Sequence, residues 1–206
     1  MTLCLALMLL TGEDLPLSLV EPEPSGAPLG DSILLRARGG DWTSRQFDFE
    51  AFTVSGQQLR SGAETLLSAG VDAGFAVADR VVVFGMFEGL WSNDVHSEIA
   101  GICVGYRDWS EPGASAGVPQ EAMIYAGALY GRFDITTPGF GDFDSAAGAR
   151  AGMSFTWSLA RALGLTFAVE YRYLKFDYAD EGDLVSGDRT IGGSGIWVGL
   201  GLDLRF

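Results

Sequence analysis

From residue 32 to the carboxyl end, apolar and polar side chains alternate with a period of two, in segments of about ten to fourteen residues. Successive residues of a strand point to opposite faces, so this period predicts strands. The clearest case is 195–206, GIWVGLGLDLRF. Ile196, Val198, Leu200, Leu202, Leu204 and Phe206 share one face; Gly195, Trp197, Gly199, Gly201, Asp203 and Arg205 share the other.

The same pattern recurs upstream. In 165–175, Phe167, Val169, Tyr171 and Tyr173 oppose Thr166, Ala168, Glu170 and Arg172. In 149–159, Met153, Phe155, Trp157 and Leu159 oppose Arg150, Gly152, Ser154 and Thr156. In 122–135, Met123, Tyr125, Leu129, Phe133 and Ile135 are placed on the apolar face, against Ala126, Ala128, Tyr130, Arg132 and Asp134. In 98–109, Ala100, Ile102, Val104 and Tyr106 oppose Gly101, Cys103, Gly105 and Arg107. Val81, Val83, Phe87 and Trp91 oppose Glu88 in 81–91; Leu67, Val71, Phe75 and Val77 oppose Ser68, Asp72 and Gly74 in 64–78; Ile33, Leu35 and Ala37 oppose Arg36 and Arg38. Eight strands are expected, with no amphipathic helix among them. Residues 45–54, RQFDFEAFTV, also alternate. They either extend the first strand above the membrane or replace 32–42 as the first spanning strand, and spacing favours the first.

Two features decide which face meets lipid. On the apolar face, with strand direction alternating, Trp91, Phe133, Tyr171 and Tyr173 fall near the outer end, and Phe75, Tyr106, Tyr125, Trp157 and Phe206 near the inner end. Aromatic girdles at both ends of an aliphatic band mark two membrane interfaces. The opposite face carries Arg36, Arg38, Arg107, Arg132, Arg150, Arg172 and Arg205 with Asp72, Glu88, Asp134, Glu170 and Asp203. Matching depths predict an upper layer of Arg132, Arg150 and Arg172 with Glu88, Asp134 and Glu170, and a lower layer of Arg36, Arg107 and Arg205 with Asp72 and Asp203. Such charges belong in a closed lumen where each has a partner. Glycines on that face leave room for bulky neighbours. The expected fold is an all-β, eight-stranded, antiparallel up-and-down transmembrane barrel with a charge-filled lumen. The alternative is a soluble lipocalin-like barrel with the arginines outside.

The 206 residues carry a net charge of −14, which disfavours nucleic acid as a partner. Lys175 is the single lysine beside twelve arginines, an odd surface for a soluble protein. MTLCLALMLL resembles part of a secretory signal, and 13–31 is rich in Pro and acid, so 1–31 reads as a partial signal-like segment and a disordered linker, with the barrel at 32–206. Cys4 and Cys103 predict neither a disulfide nor a metal cluster. Short connections after 78 and 159 alternate with long ones at 43–63, 135–145 and 176–191, as periplasmic turns alternate with outer loops; 110–120 and 92–97 depart from that rhythm.

GLGLDLRF, through Gly201, Leu204 and terminal Phe206, resembles the carboxyl-terminal targeting strand of bacterial outer-membrane proteins, with Gly199 where that pattern usually begins polar. DSILLRARGG looks like the opening strand of small OmpW-like barrels. In length and rhythm 32–206 is similar to the eight-stranded OmpA/OmpX/OmpW class. The resemblance implies an outer-membrane location, export to the periplasm, and insertion by the barrel assembly machinery, which reads the final strand.

Eight strands leave an interior that side chains fill. The leading expectation is therefore a monomeric, non-enzymatic, cofactor-free barrel among outer-membrane lipid and lipopolysaccharide, with a structural or surface-interaction role carried by its outer loops. A narrow channel for small solutes or ions is the alternative. A third reading is a lipid A-modifying enzyme using His96, with Ser92, Asp94, Ser97 and Glu98 nearby, although Ser97 and Glu98 alternate in facing and assemble no local triad. Loop acids Asp142, Asp144, Asp180, Glu181, Asp183 and Asp188 are either divalent-cation ligands or a solvated surface.

Overall fold

The computed structural model describes residues 33–44, 48–62, 65–92, 95–109, 118–135, 143–160, 162–179 and 184–205. Eight strands close into an antiparallel barrel: β1 (Ile33–Thr43), β4 (Thr65–Ala78), β5 (Val81–Trp91), β6 (Val95–Trp109), β7 (Glu121–Ile135), β8 (Ala146–Ala160), β9 (Leu163–Asp177) and β11 (Thr190–Arg205). Each pairs with its neighbour in sequence around the barrel, and β1 meets both β4 and β11, so no barrel strand keeps an open edge. Residues 1–31, Asp94, Asp142, Asp180, Glu181, Asp183 and Phe206 lie outside the described residues.

The spanning strand at the amino end is β1. Residues from 48 onward do not extend it. They form β2 (Asp48–Thr53), which with β3 (Gln58–Gly62) and β10 (Leu184–Gly187) makes a separate three-stranded sheet in the order β10-β2-β3. The β2–β3 hairpin turns at Gly56, whose φ of 81° favours glycine, and Thr53 accepts from Gly56 N at 2.9 Å. This sheet marks the loop end of the barrel. At the opposite, turn end, Asp79–Arg80 joins β4 to β5, and Arg205 N donates to Ala162 O at 3.0 Å beneath the β8–β9 turn.

Side chains alternate along the barrel strands in an inverted sense. Exposed apolar groups form the wall: Leu35, Val71, Phe87, Ile102, Val104, Ile124, Leu200 and Leu202 are all between 43% and 60% exposed, or just above at 62% for Ile124. Charged groups fill the interior. A soluble barrel would reverse this, so the wall is the surface a bilayer requires.

One strand departs from the expected facing. On β7, Met123, Tyr125, Leu129 and Phe133 point inward, while Ile124, Ala126, Ala128, Tyr130 and Arg132 point outward. Both faces of β7 are apolar, and bulk alone favoured placing the larger set against lipid. Register and space decide otherwise. Gly105 lies opposite Tyr125, Gly101 opposite Leu129, and Arg107 opposite Met123, and directly opposed residues share a face. A Cβ at Gly101 would sit 2.8 Å from Leu129 Cδ2; at Gly105, 2.8 Å from Met123 Sδ; at Gly152, 2.9 Å from Tyr125 Cζ. Glycines on β6 and β8 thus hold open the volume that the large β7 side chains occupy.

Candidate functional site: the lumen

The interior is built in tiers. At mid-height, Glu170 of β9 is the hub. Its Oε1 accepts from Arg38 Nη1 at 2.7 Å, Tyr125 Oη at 2.8 Å and Arg150 Nη1 at 3.2 Å; its Oε2 accepts from Arg172 Nε at 2.8 Å. Arg172 also grips Glu88 with both terminal nitrogens, at 2.7 and 3.0 Å. Arg38 lies 3.1 Å from Glu88 and 3.4 Å from Asp72. Arg150 and Arg172 are direct cross-strand neighbours. That like-charge juxtaposition is tolerable because Glu170 bonds both.

Nearer the turn end, Arg36 bonds Asp203 at 2.7 and 3.0 Å, and Arg205 bonds Asp203 at 3.0 Å and grips Glu121 with both terminal nitrogens. Asp72 links the groups, 3.8 Å from Arg36. Five arginines and five carboxylates therefore share one network. Beside it, Leu34, Val82, Phe84, Cys103, Met123 and Tyr125 form an apolar cluster, and Arg150 Nε donates to Cys103 Sγ at 2.8 Å.

Beside the hub, Trp197 lies opposite Glu170 on β9 and opposite Trp42 on β1. The guanidinium of Arg38 stacks 4.0 Å from the Trp197 ring, and that of Arg172 lies 4.9 Å from the same ring. Trp197 Nε1 donates to Ser68 Oγ at 2.7 Å, and Ser68 Oγ to Gly40 O at 3.1 Å. Toward the loop end the lumen becomes mainly apolar. Leu66, Leu90, Ile99, Leu129, Phe133, Leu174, Phe176 and Ile191 are all 2% exposed or less. Phe133 contacts the rings of Phe176 (5.2 Å) and Phe143 (5.7 Å), and Phe143 contacts Tyr178 (5.3 Å). Ala51 of the three-stranded sheet is fully buried against this plug.

Of the sequence-expected lumen charges, Arg36, Arg38, Asp72, Glu88, Arg150, Glu170, Arg172, Asp203 and Arg205 come together inside. Arg107 is buried at the turn end, 4.8 Å over the Trp109 ring, with Nε donating to Asp79 O at 3.4 Å. Arg132 and Asp134 are not in the lumen. Both lie on the outer side of β7, their side chains 64% and 42% exposed and 3.3 Å apart. Glu121 went unrecognised. The same one-residue facing choice on β7 accounts for all three, because a strand read with the wrong parity moves every residue to the other side.

The girdle is corrected in the same way. Tyr125 and Phe133 are interior. On the outer wall stand Trp91, Tyr130, Tyr171 and Tyr173 toward the loop end, with Phe75, Tyr106 and Trp157 toward the turn end. Gly201 faces inward, where a Cβ would sit 3.0 Å from Ala37 O, and Leu204 faces lipid. His96 is exposed on the outer side of β6, whereas Ser97 turns inward and donates to Arg132 O at 2.6 Å, so the two face opposite ways.

No family model matches the chain, and no curated protein does. Solved structures do. The N-terminal β-barrel domain of Pseudomonas aeruginosa OprF superposes with a TM-score of 0.55 at 14% identity, over 86% of this chain and 98% of that one. The outer membrane protein OprG of P. aeruginosa gives 0.50 at 15% identity, over 87% and 100%. The fold is that of an eight-stranded outer-membrane β-barrel. Together with the apolar wall around a charged interior, it places this chain in the outer membrane.

Proposed function

We propose that this outer-membrane barrel is closed to solutes and acts as a structural or surface-interaction protein through its loop end, which faces outward because long connections cluster there. The observation that supports this is the double closure of the lumen. The five-by-five charge network fills the middle, and the plug around Phe133 and Phe176 fills the loop side. Neither tier has to open for the barrel to stand in a bilayer. Three strands outside the barrel, β2, β3 and β10, give the loop end an ordered surface, with Phe52, Val54 and Val185 exposed.

A narrow channel is the competing reading. It is favoured by buried polar atoms without a hydrogen-bond partner among the described residues, namely Arg36 Nη1, Asp72 Oδ1, Arg150 Nη2 and Ser154 Oγ, which mark a region suited to hydration. Planar-bilayer recordings of the refolded protein separate the two. A silent bilayer containing inserted protein is the expected outcome; discrete ion-selective steps would replace the closed reading with the channel.

A further inference from the structure

The barrel wall carries cations in one sector of the loop end. Arg132 of β7 and Lys175 of β9 point outward there, with side chains 64% and 53% exposed. They flank β8, which presents Ala147 and Ala149 to the outside. Tyr130 stands opposite Ala147, and Tyr173 opposite Ala149. Both rings are exposed, at 59% and 46%. The result is a shallow furrow on an unpartnered sheet face, with an alanine floor, tyrosine walls and a cation on each side of its head.

Among the described residues each cation is tethered to a carboxylate two residues further toward the loops, Arg132 to Asp134 at 3.3 Å and Lys175 to Asp177 at 3.9 Å. Glu98, opposite Arg132 on β6, is a further acid at this level. Exposed pairs of this kind hold weakly and exchange readily for another anion. The carboxylates sit on the water side of their cations, so the cations face the depth at which lipid phosphates lie. An acyl chain needs a smooth apolar floor, a sugar ring is suited to an aromatic wall, and a phosphate needs cations at the interface.

We propose that this furrow seats a phosphorylated glycolipid of the outer leaflet, of the lipid A class, with an acyl chain along Ala147 and Ala149 and a phosphate between Arg132 and Lys175. The proposal uses only the orientation assigned above; it does not depend on whether the lumen conducts.

The test is native mass spectrometry of the full chain, refolded in neutral detergent and offered lipid A, phosphatidylglycerol or inorganic phosphate. Folding is checked for every variant by heat-dependent gel mobility. Lipid A is expected to be retained by the parent barrel and by Arg80→Gln, an exposed arginine at the turn end. Retention by the double variant R132Q/K175Q is expected to fall about thirtyfold, from about 1 kcal/mol per basic group at a membrane surface. Ala149→Leu, which fills the floor from the lipid side, should also weaken it. Unchanged retention in R132Q/K175Q overturns the proposal. So does equal retention of phosphatidylglycerol, which would show a generic anionic patch, full competition by inorganic phosphate, or an Ala149→Leu variant that binds like the parent.

Discussion

The middle and the loop-side halves of the lumen fill the same barrel by opposite means. Around Glu170 the filling is ionic, with five arginines and five carboxylates in fixed, mutually bonded positions. Around Phe133 it is apolar, with leucines and aromatic rings as tightly buried as in a soluble core. An ionic tier is intolerant of deletion, because removing one partner strands the others as unpaired buried charges. An apolar tier loses contacts in proportion to the volume removed. The ionic tier therefore fixes which strands meet at which height, while the apolar tier supplies bulk that excludes solvent.

The largest effect should come from breaking the hub. Glu170→Ala leaves Arg38, Arg150, Arg172 and Tyr125 without their shared acceptor. The expected loss is about 3–5 kcal/mol, read as a fall in urea-unfolding free energy in lipid vesicles. A loss below about 1 kcal/mol, typical of an exposed pair, would show that the network is not a coupled unit. Phe133→Ala tests the other tier. It removes ring contacts to Phe143 and Phe176 and should cost about 3 kcal/mol. The bilayer should nevertheless stay silent, since the ionic tier still closes the lumen. Conductance in Phe133→Ala would mean that the plug alone seals the barrel.

The two tiers were not equally legible. Charged residues at every second position of an apolar strand have one sensible destination, so Arg36, Arg150, Glu170, Arg172 and Asp203 could be placed from sequence. The plug could not. Leu66, Leu90, Phe133 and Phe176 are the same residue types that face lipid elsewhere on the wall. In a membrane barrel an apolar side chain can satisfy either face, and only register distinguishes them. The three-stranded sheet was half visible: the alternation at 48–53 was plain, but its partners lie beyond the hairpin in β3 and far along the chain in β10.

Glycine carried a signal that bulk obscured. A Cβ at Gly127 would lie 2.1 Å from Ile102 O and 2.4 Å from Cys103 Sγ, whereas at Gly105 its nearest contact is the flexible Met123 thioether at 2.8 Å. Gly127→Ala must displace backbone and should cost about 2 kcal/mol, while Gly105→Ala should cost less than about 1 kcal/mol as Met123 shifts. Equal costs in thermal unfolding would mean that β7 is less tightly seated against β6 than the pairing of Gly127 with Cys103 implies.

The smallest effect is expected where the facing of β7 matters most. Arg132 and Arg150 are both arginines on neighbouring strands, each ion-paired, and sequence alone assigned both to the lumen. Arg150 is fully buried and bonds Glu170; Arg132 is 64% exposed and, among the described residues, pairs with Asp134. Arg132→Ala in phosphatidylcholine vesicles should therefore change unfolding free energy by less than about 1 kcal/mol, and that small change should shrink further in high salt. Loss of several kcal/mol, insensitive to salt, would instead place Arg132 among the buried charges. It would then turn β7 over, returning Tyr125 and Phe133 to the lipid face and removing the plug's central ring.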